Sequence, residues 1–214
     1  MNLVSEFSHL PRTQEYLARL PDGLNSYPDA VVKGSLVRGI SEFKTERFAS
    51  RPLPSQLQAW IDAPPLASQW VSETRLVAFG IAVRESYFDT DGEYLAWTEL
   101  PLTKTLRSPL YRVLFALLSP GRLVKSGSKR WGALRRGTSR ELLERNENGN
   151  LGRIVFPPDL YDALYLSALL GALRIVYTMS GAQDPSVEIV ESSSEFVVTE
   201  VRYDKALPRG PALD

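Results

Sequence analysis

The hydrophobic period of this chain changes once, after Gly137, and that change limits the folds open to it. Beyond it, two stretches, 138–145 and 151–156, flank Asn146-Glu147-Asn148-Gly149-Asn150, turn chemistry that joins two strands into a hairpin. Pro157-Pro158 then launches a long helix over 159–180, with Gly181 as its C-terminal stop. Leu160, Leu164, Ala168, Gly171 and Ile175 trace one stripe along that helix. A second strand pair, 187–190 and 196–203, follows around the Ser192-Ser193-Ser194 loop. Helices first, then strand-strand-helix-strand-strand, predicts an α+β fold in which an antiparallel sheet packs one face on helices. On this reading the long helix against the sheet is the main stabilising interface.

The helical part reads as follows. Residues 12–20 form a short helix stopped by Pro21-Asp22-Gly23. Pro28 opens another, in which Val32, Leu36 and Ile40 recur on one face. Residues 53–61 give a short helix closed by Ala63-Pro64-Pro65. Ser72 is placed to cap a longer one, with Glu73 complementing its dipole and Asp91-Gly92 ending the segment as a turn. Residues 93–106 read as a helix interrupted near Pro101, and 110–118 as another. The expected organisation is an N-terminal helical extension (1–27), a single α+β domain (28–204) and a flexible tail (205–214).

Composition removes whole classes of chemistry. With 43% hydrophobic residues in 214, the chain buries a core, so disorder and collagen-like architectures are out. Twenty-five basic and 25 acidic side chains cancel, which removes any global attraction to nucleic acid or anionic lipid. The absence of cysteine excludes disulfides, thiolate catalysis, zinc ribbons and iron–sulfur clusters. The N-terminus shows no secretory pattern. The most apolar stretch, 160–179, carries Asp162 and Arg174 and falls short of the roughly 18–20 apolar residues of a membrane span. A soluble, cytoplasmic protein with no membrane association is expected.

Several short segments carry a family likeness: Val32-Lys33-Gly34-Ser35, Ser108-Pro109-Leu110-Tyr111-Arg112-Val113-Leu114-Phe115, Leu118-Ser119-Pro120-Gly121-Arg122-Leu123, Lys129-Arg130-Trp131-Gly132, and Gly181-Ala182 after the long helix. Over roughly 28–204 the chain resembles a paralogous family of myxobacterial proteins. That family is similar in turn to the haem-NO-binding, vinyl-reductase and TRAPP group of modules, which end in strand-strand-helix-strand-strand. The resemblance implies a shape rather than an activity. Haem sensing, the sharpest function of that group, is opposed by the residues. The single histidine, His9, lies outside the resembling region, and Tyr165-Leu166-Ser167-Ala168-Leu169 keeps two positions of the propionate-binding Tyr-x-Ser-x-Arg pattern but lacks the arginine.

The clearest local anomaly is charge. Residues 121–140 carry Arg122, Lys125, Lys129, Arg130, Arg135, Arg136 and Arg140, and no acid. On one helix Arg122, Lys125 and Lys129 share a face. Such a face, with Trp131 at its edge, suits a phosphate-bearing ligand, a nucleic-acid backbone or an acidic protein surface. The plainer reading is a solvated face with Leu123, Val124, Trp131 and Leu134 turned inward. Asp89-Thr90-Asp91-Gly92-Glu93 lacks the glycine and glutamate positions of a calcium loop and reads as a turn. The four tryptophans read as core or interface anchors. No motif gives His9 a nucleophile to serve.

These observations lead to the expectation of a non-enzymatic binding module, without cofactor or metal, acting in signalling or assembly through a protein surface or a small-ligand pocket at the helix–sheet interface. Its candidate contacts are Arg122, Lys125, Lys129, Arg130 and Trp131. A homodimer follows by analogy with related modules. Two alternatives stand beside it: phosphate-ligand or nucleic-acid binding through 121–140, and an enzyme working with paired carboxylates alone.

Overall fold

The computed structural model describes residues 6–42, 52–107 and 119–206; the helix expected over 110–118 lies outside them. The architecture is α+β, with helices through the N-terminal part and a four-stranded antiparallel sheet after them.

Helix α1 (Pro11–Arg19) starts on a proline whose fixed φ suits a first turn, and a 3-10 turn follows at Gly23–Asn25. The helix expected from Pro28 onward is partly a strand. β1 (Val31–Lys33) pairs antiparallel with β2 (Trp70–Ser72) on one side and β3 (Arg135–Arg136) on the other, and α2 (Gly34–Glu42) begins directly after it. Two consecutive β-branched valines favour that choice. The spacing of Val32 and Leu36 misled because strand and helix residue turn into the same small core, with Val37, Val71 and Leu76.

A short helix, α3 (Ser55–Asp62), precedes β2. α4 (Glu73–Tyr87) starts on the cap that the sequence specifies, the Ser72 hydroxyl accepting from the Arg75 amide at 3.2 Å. It is buried nearly all round, as a helix at the centre of a domain must be. α5 (Asp91–Leu106) runs through Pro101 without the expected break. Proline there forfeits one intrahelical bond, and the helix is held by its packing. Asp91-Gly92 opens this helix instead of forming a terminating turn, with the Thr90 hydroxyl accepting from the Glu93 amide at 3.2 Å.

The hairpin forms as predicted, β4 (Ser139–Asn146) joined to β5 (Gly149–Val155). After α8 (Ala163–Met179) come β7 (Ser186–Ser192) and β8 (Phe196–Arg202), and the sheet order is β4-β5-β8-β7. The ladder slips at Leu142/Glu144 and at Ile189/Glu191, one irregularity on each edge strand. α8 starts four residues later than the prolines suggest. Pro157 to Leu160 closes a turn, and Asp162 caps the helix, its Oδ1 accepting from the Tyr165 amide at 2.8 Å. Gly181, at φ +93°, stops it in a conformation side chains rarely adopt.

The main interface is not the long helix on the sheet. α8 packs chiefly on α5 and β7, and of its residues Leu164 and Tyr177 are fully buried. The largest core joins Phe7, Leu10, Tyr16, Leu20 and Leu24 to Val77, Phe79 and Val83 of α4 and to Ile154 and Val197 of the sheet. Each such fully buried side chain contributes roughly 1.5–3 kcal/mol of transfer free energy. The N-terminal segment is therefore part of the core. Tyr16 OH donates to the Leu160 carbonyl at 2.8 Å, and Glu85 accepts from the Arg12 and Thr13 amides. The start of the expected tail is also structured, β9 (Lys205–Ala206) pairing with β6 (Ala182–Gln183). Among the described residues no helix is long and apolar enough to cross a membrane.

Candidate functional site

The basic segment folds as two short helices set against β4. The Ser119 hydroxyl accepts from the Arg122 amide and Pro120 supplies the first turn of α6 (Pro120–Lys125). Ser126 then breaks the helix, and α7 (Gly127–Leu134) follows. This corrects the single-helix face expected for Arg122, Lys125 and Lys129: the first two share a helix, and the third begins another. Val124 is buried, while Arg122, Lys125 and Lys129 are exposed and Arg130 is half-buried, its Nε donating to Ser126 Oγ at 2.8 Å. No ion pair reaches Lys125, Lys129, Arg130, Arg136 or Arg140 among the described residues. Within the segment Arg135 is the residue that meets a carboxylate, that of Glu73.

Trp131 does not stand at an exposed edge. It is 8% exposed, its Nε1 donates to Thr138 Oγ1 at 3.0 Å, and its face lies 4.7 Å from the Arg135 guanidinium. The ring is enclosed, with no open face for a base to stack on. Leu134, expected inside, is 41% exposed. Trp70 is the tryptophan that meets exposed charge: Lys33 Nζ and Arg136 Cζ lie 4.0 and 4.1 Å from its ring centroid.

Arg135, on β3, enters a buried polar cluster that the sequence does not announce. Ser72 sets Glu73 in the first turn of α4, where its N–H donates to the Ala30 carbonyl and its carboxylate turns inward, fully buried. Arg135, reaching in from β3, forms an ion pair with Glu73. Its Nη1 also donates to Tyr165 OH at 2.8 Å and to Tyr161 OH at 3.3 Å, and Tyr161 OH donates to Glu73 Oε1 at 2.6 Å. Burial works against the Arg135 charge, but the Tyr165 and Tyr161 oxygens outweigh it and its pKa lies above the ordinary value. Burial pushes the Tyr161 phenol well above its usual range. In the sequence Glu73 is legible only as a complement to the helix dipole; its burial has no local signal, because the partner lies 62 residues away.

A second arginine, Arg140, is also buried, but without a carboxylate. It is the one buried residue of β4, and its guanidinium lies between Gly127 and Gly152, with Nη2 donating to Asn150 Oδ1 at 3.4 Å and Nε without a partner. Asn150 Nδ2 donates in turn to Tyr177 OH at 2.8 Å.

The other candidates are accounted for. Asp91 is held by Arg12 and Arg84, His9 is exposed, and among the described residues no group of three or more His, Cys, Asp or Glu could hold a metal ion. Open grooves of about 560 and 510 Å³ lie by the β4–β5 turn and along α5, away from the basic segment. Comparison with protein-family models, with curated proteins and with solved structures gives no match.

Proposed function

We propose that this chain is a non-enzymatic binding module that docks an acidic protein surface on the cationic ledge of α6, α7 and β3. The observation that carries the reading is the absence, among the described residues, of any ion pair to Lys125, Lys129, Arg130 or Arg136, in a chain whose basic and acidic side chains are equal in number. Unpaired surface cations keep their full field for a partner and speed its encounter. The enclosure of Trp131 favours a protein partner over a single-stranded nucleic acid, because stacking would need an open ring. A chain with no cysteine suits a reducing cytoplasm.

The test is binding of polyglutamate, with polyuridylate as comparator, across a salt series. Polyglutamate binds with steep salt dependence, and the double reversal Lys125→Glu with Lys129→Glu weakens it about tenfold. Binding that ignores salt, or is equal in the variant, refutes the ledge. Tighter binding of polyuridylate transfers the ledge to nucleic acid.

A further inference from the structure

Gly127, the first residue of α7, has no Cβ, and a Cβ there would overlap Nη1 of Arg140. The buried guanidinium is thus pressed against the N-terminus of an eight-residue helix, where unsatisfied amides already create positive potential. The usual relief is missing. Ser126 makes no side-chain cap, its hydroxyl being engaged by Arg130 Nε and the Arg122 carbonyl, and the first turn, Gly127-Ser128-Lys129, contains no acid. Arg140 itself is 93% buried by its 7% exposure, has one long bond to Asn150, and leaves Nε unpartnered. The positive end of a helix dipole and an uncompensated guanidinium meet at Gly127, an arrangement each opposes unless an anion joins them.

We propose that the N-terminus of α7 and Arg140 together form a binding site for a phosphate dianion, free or as a monoester. The first-turn amides and the guanidinium supply fixed donors of the kind that tetrahedral oxyanions take, and the two glycines allow the close approach. The site stands on its own geometry; where the phosphate is carried by a docked partner, it also rests on the docking reading.

The experiment titrates the full chain with inorganic phosphate at fixed ionic strength and follows the backbone amide shifts of Gly127, Ser128 and Lys129. Saturable shifts at these amides are expected, weakened about tenfold or more in Arg140→Met, the scale of a lost bond to a charged group. Gly127→Ala, which displaces the guanidinium but keeps its charge, weakens saturation too and serves if Arg140→Met does not fold. Shifts that rise without saturating, or that saturate equally in wild type and both variants, overturn the site. A parallel arm compares a phosphoserine peptide with its unphosphorylated form. Tighter binding of the phosphopeptide than of inorganic phosphate assigns the monoester, equal or weaker binding assigns free phosphate, and saturation by neither overturns the site. Failure of polyglutamate to bind leaves this site standing, and normal phosphate saturation in Arg140→Met leaves the ledge standing.

Discussion

Arg135 and Arg140 lie five residues apart, are 8% and 7% exposed, and live in opposite electrostatic settings. Arg135 meets the Glu73 carboxylate, two phenol oxygens and the face of Trp131. Arg140 meets one amide oxygen at long range and two glycines. A buried cation that is matched inside the chain acts as a joint: Arg135 fastens β3 to α4 and, through Tyr161 and Tyr165, to the start of α8. A buried cation left unmatched weakens the fold it sits in, so its retention points outward, to a negative group the chain does not supply.

The largest effect expected from this contrast is at the joint. Glu73→Gln or Arg135→Met leaves one buried partner uncompensated and lowers stability by about 3–5 kcal/mol in urea unfolding. The double variant Glu73→Leu with Arg135→Met loses much less than the two singles together, because no charge remains stranded. Additive losses would show that the pair is not coupled and that the two arginines differ less than their surroundings suggest.

Arg140→Met is the next break point. Removing a charge with no counter-ion should leave stability in phosphate-free buffer within about 1 kcal/mol of wild type, or raise it. Phosphate should then stabilise wild type and not the variant, by linkage to the folded state. A loss as large as that of Arg135→Met would place both arginines in the same structural role.

The contrast also marks what the sequence made legible. Local rules found their elements: the Ser72 cap, the hairpin around Glu147-Asn148, the strand-strand-helix-strand-strand order and the Gly181 stop are written within a few residues of where they act. The three-stranded sheet was hidden because its strands are two or three residues long and come from positions 31, 70 and 135, too short for a period and too distant for a turn. The excess of cations over 121–140 could be counted directly, but not their fates. Nothing near Arg135 in the chain says that Glu73 neutralises it, and nothing near Arg140 says that no acid does. Trp131 shows the same gap: the sequence leaves it between a platform beside Arg130 and a ring turned inward, and the approach of Arg135 on β3 goes with the enclosed arrangement.

The smallest expected effect concerns Asp162, a largely buried acid that answers to amide donors instead of a cation and so falls between the two arginines. Burial raises its pKa, against the pull of the Tyr165 and Leu164 amides and the fields of Arg12 and Arg19. An acid whose folded pKa is raised adds stability that is full below its unfolded value, near 3.9 for aspartate, and is lost as pH rises through the folded value. Asp91 runs the other way. Arg12, by hydrogen bond first, and then Arg84 lower its pKa, so its contribution is present above the ordinary value and lost as pH falls through the lowered one. Being exposed enough to be screened, it contributes little. Asp162→Asn keeps a cap while removing the charge, so its stability profile should be flatter than that of wild type just above the ordinary carboxylate pKa, and higher by under about 1 kcal/mol beyond that window. Asp162→Ala removes cap and charge together and should lose about 1 kcal/mol relative to Asp162→Asn at every pH. Parallel profiles for wild type and Asp162→Asn would mean that the amides satisfy this carboxylate fully, and that amide donors can do for a buried charge here what Glu73 does for Arg135.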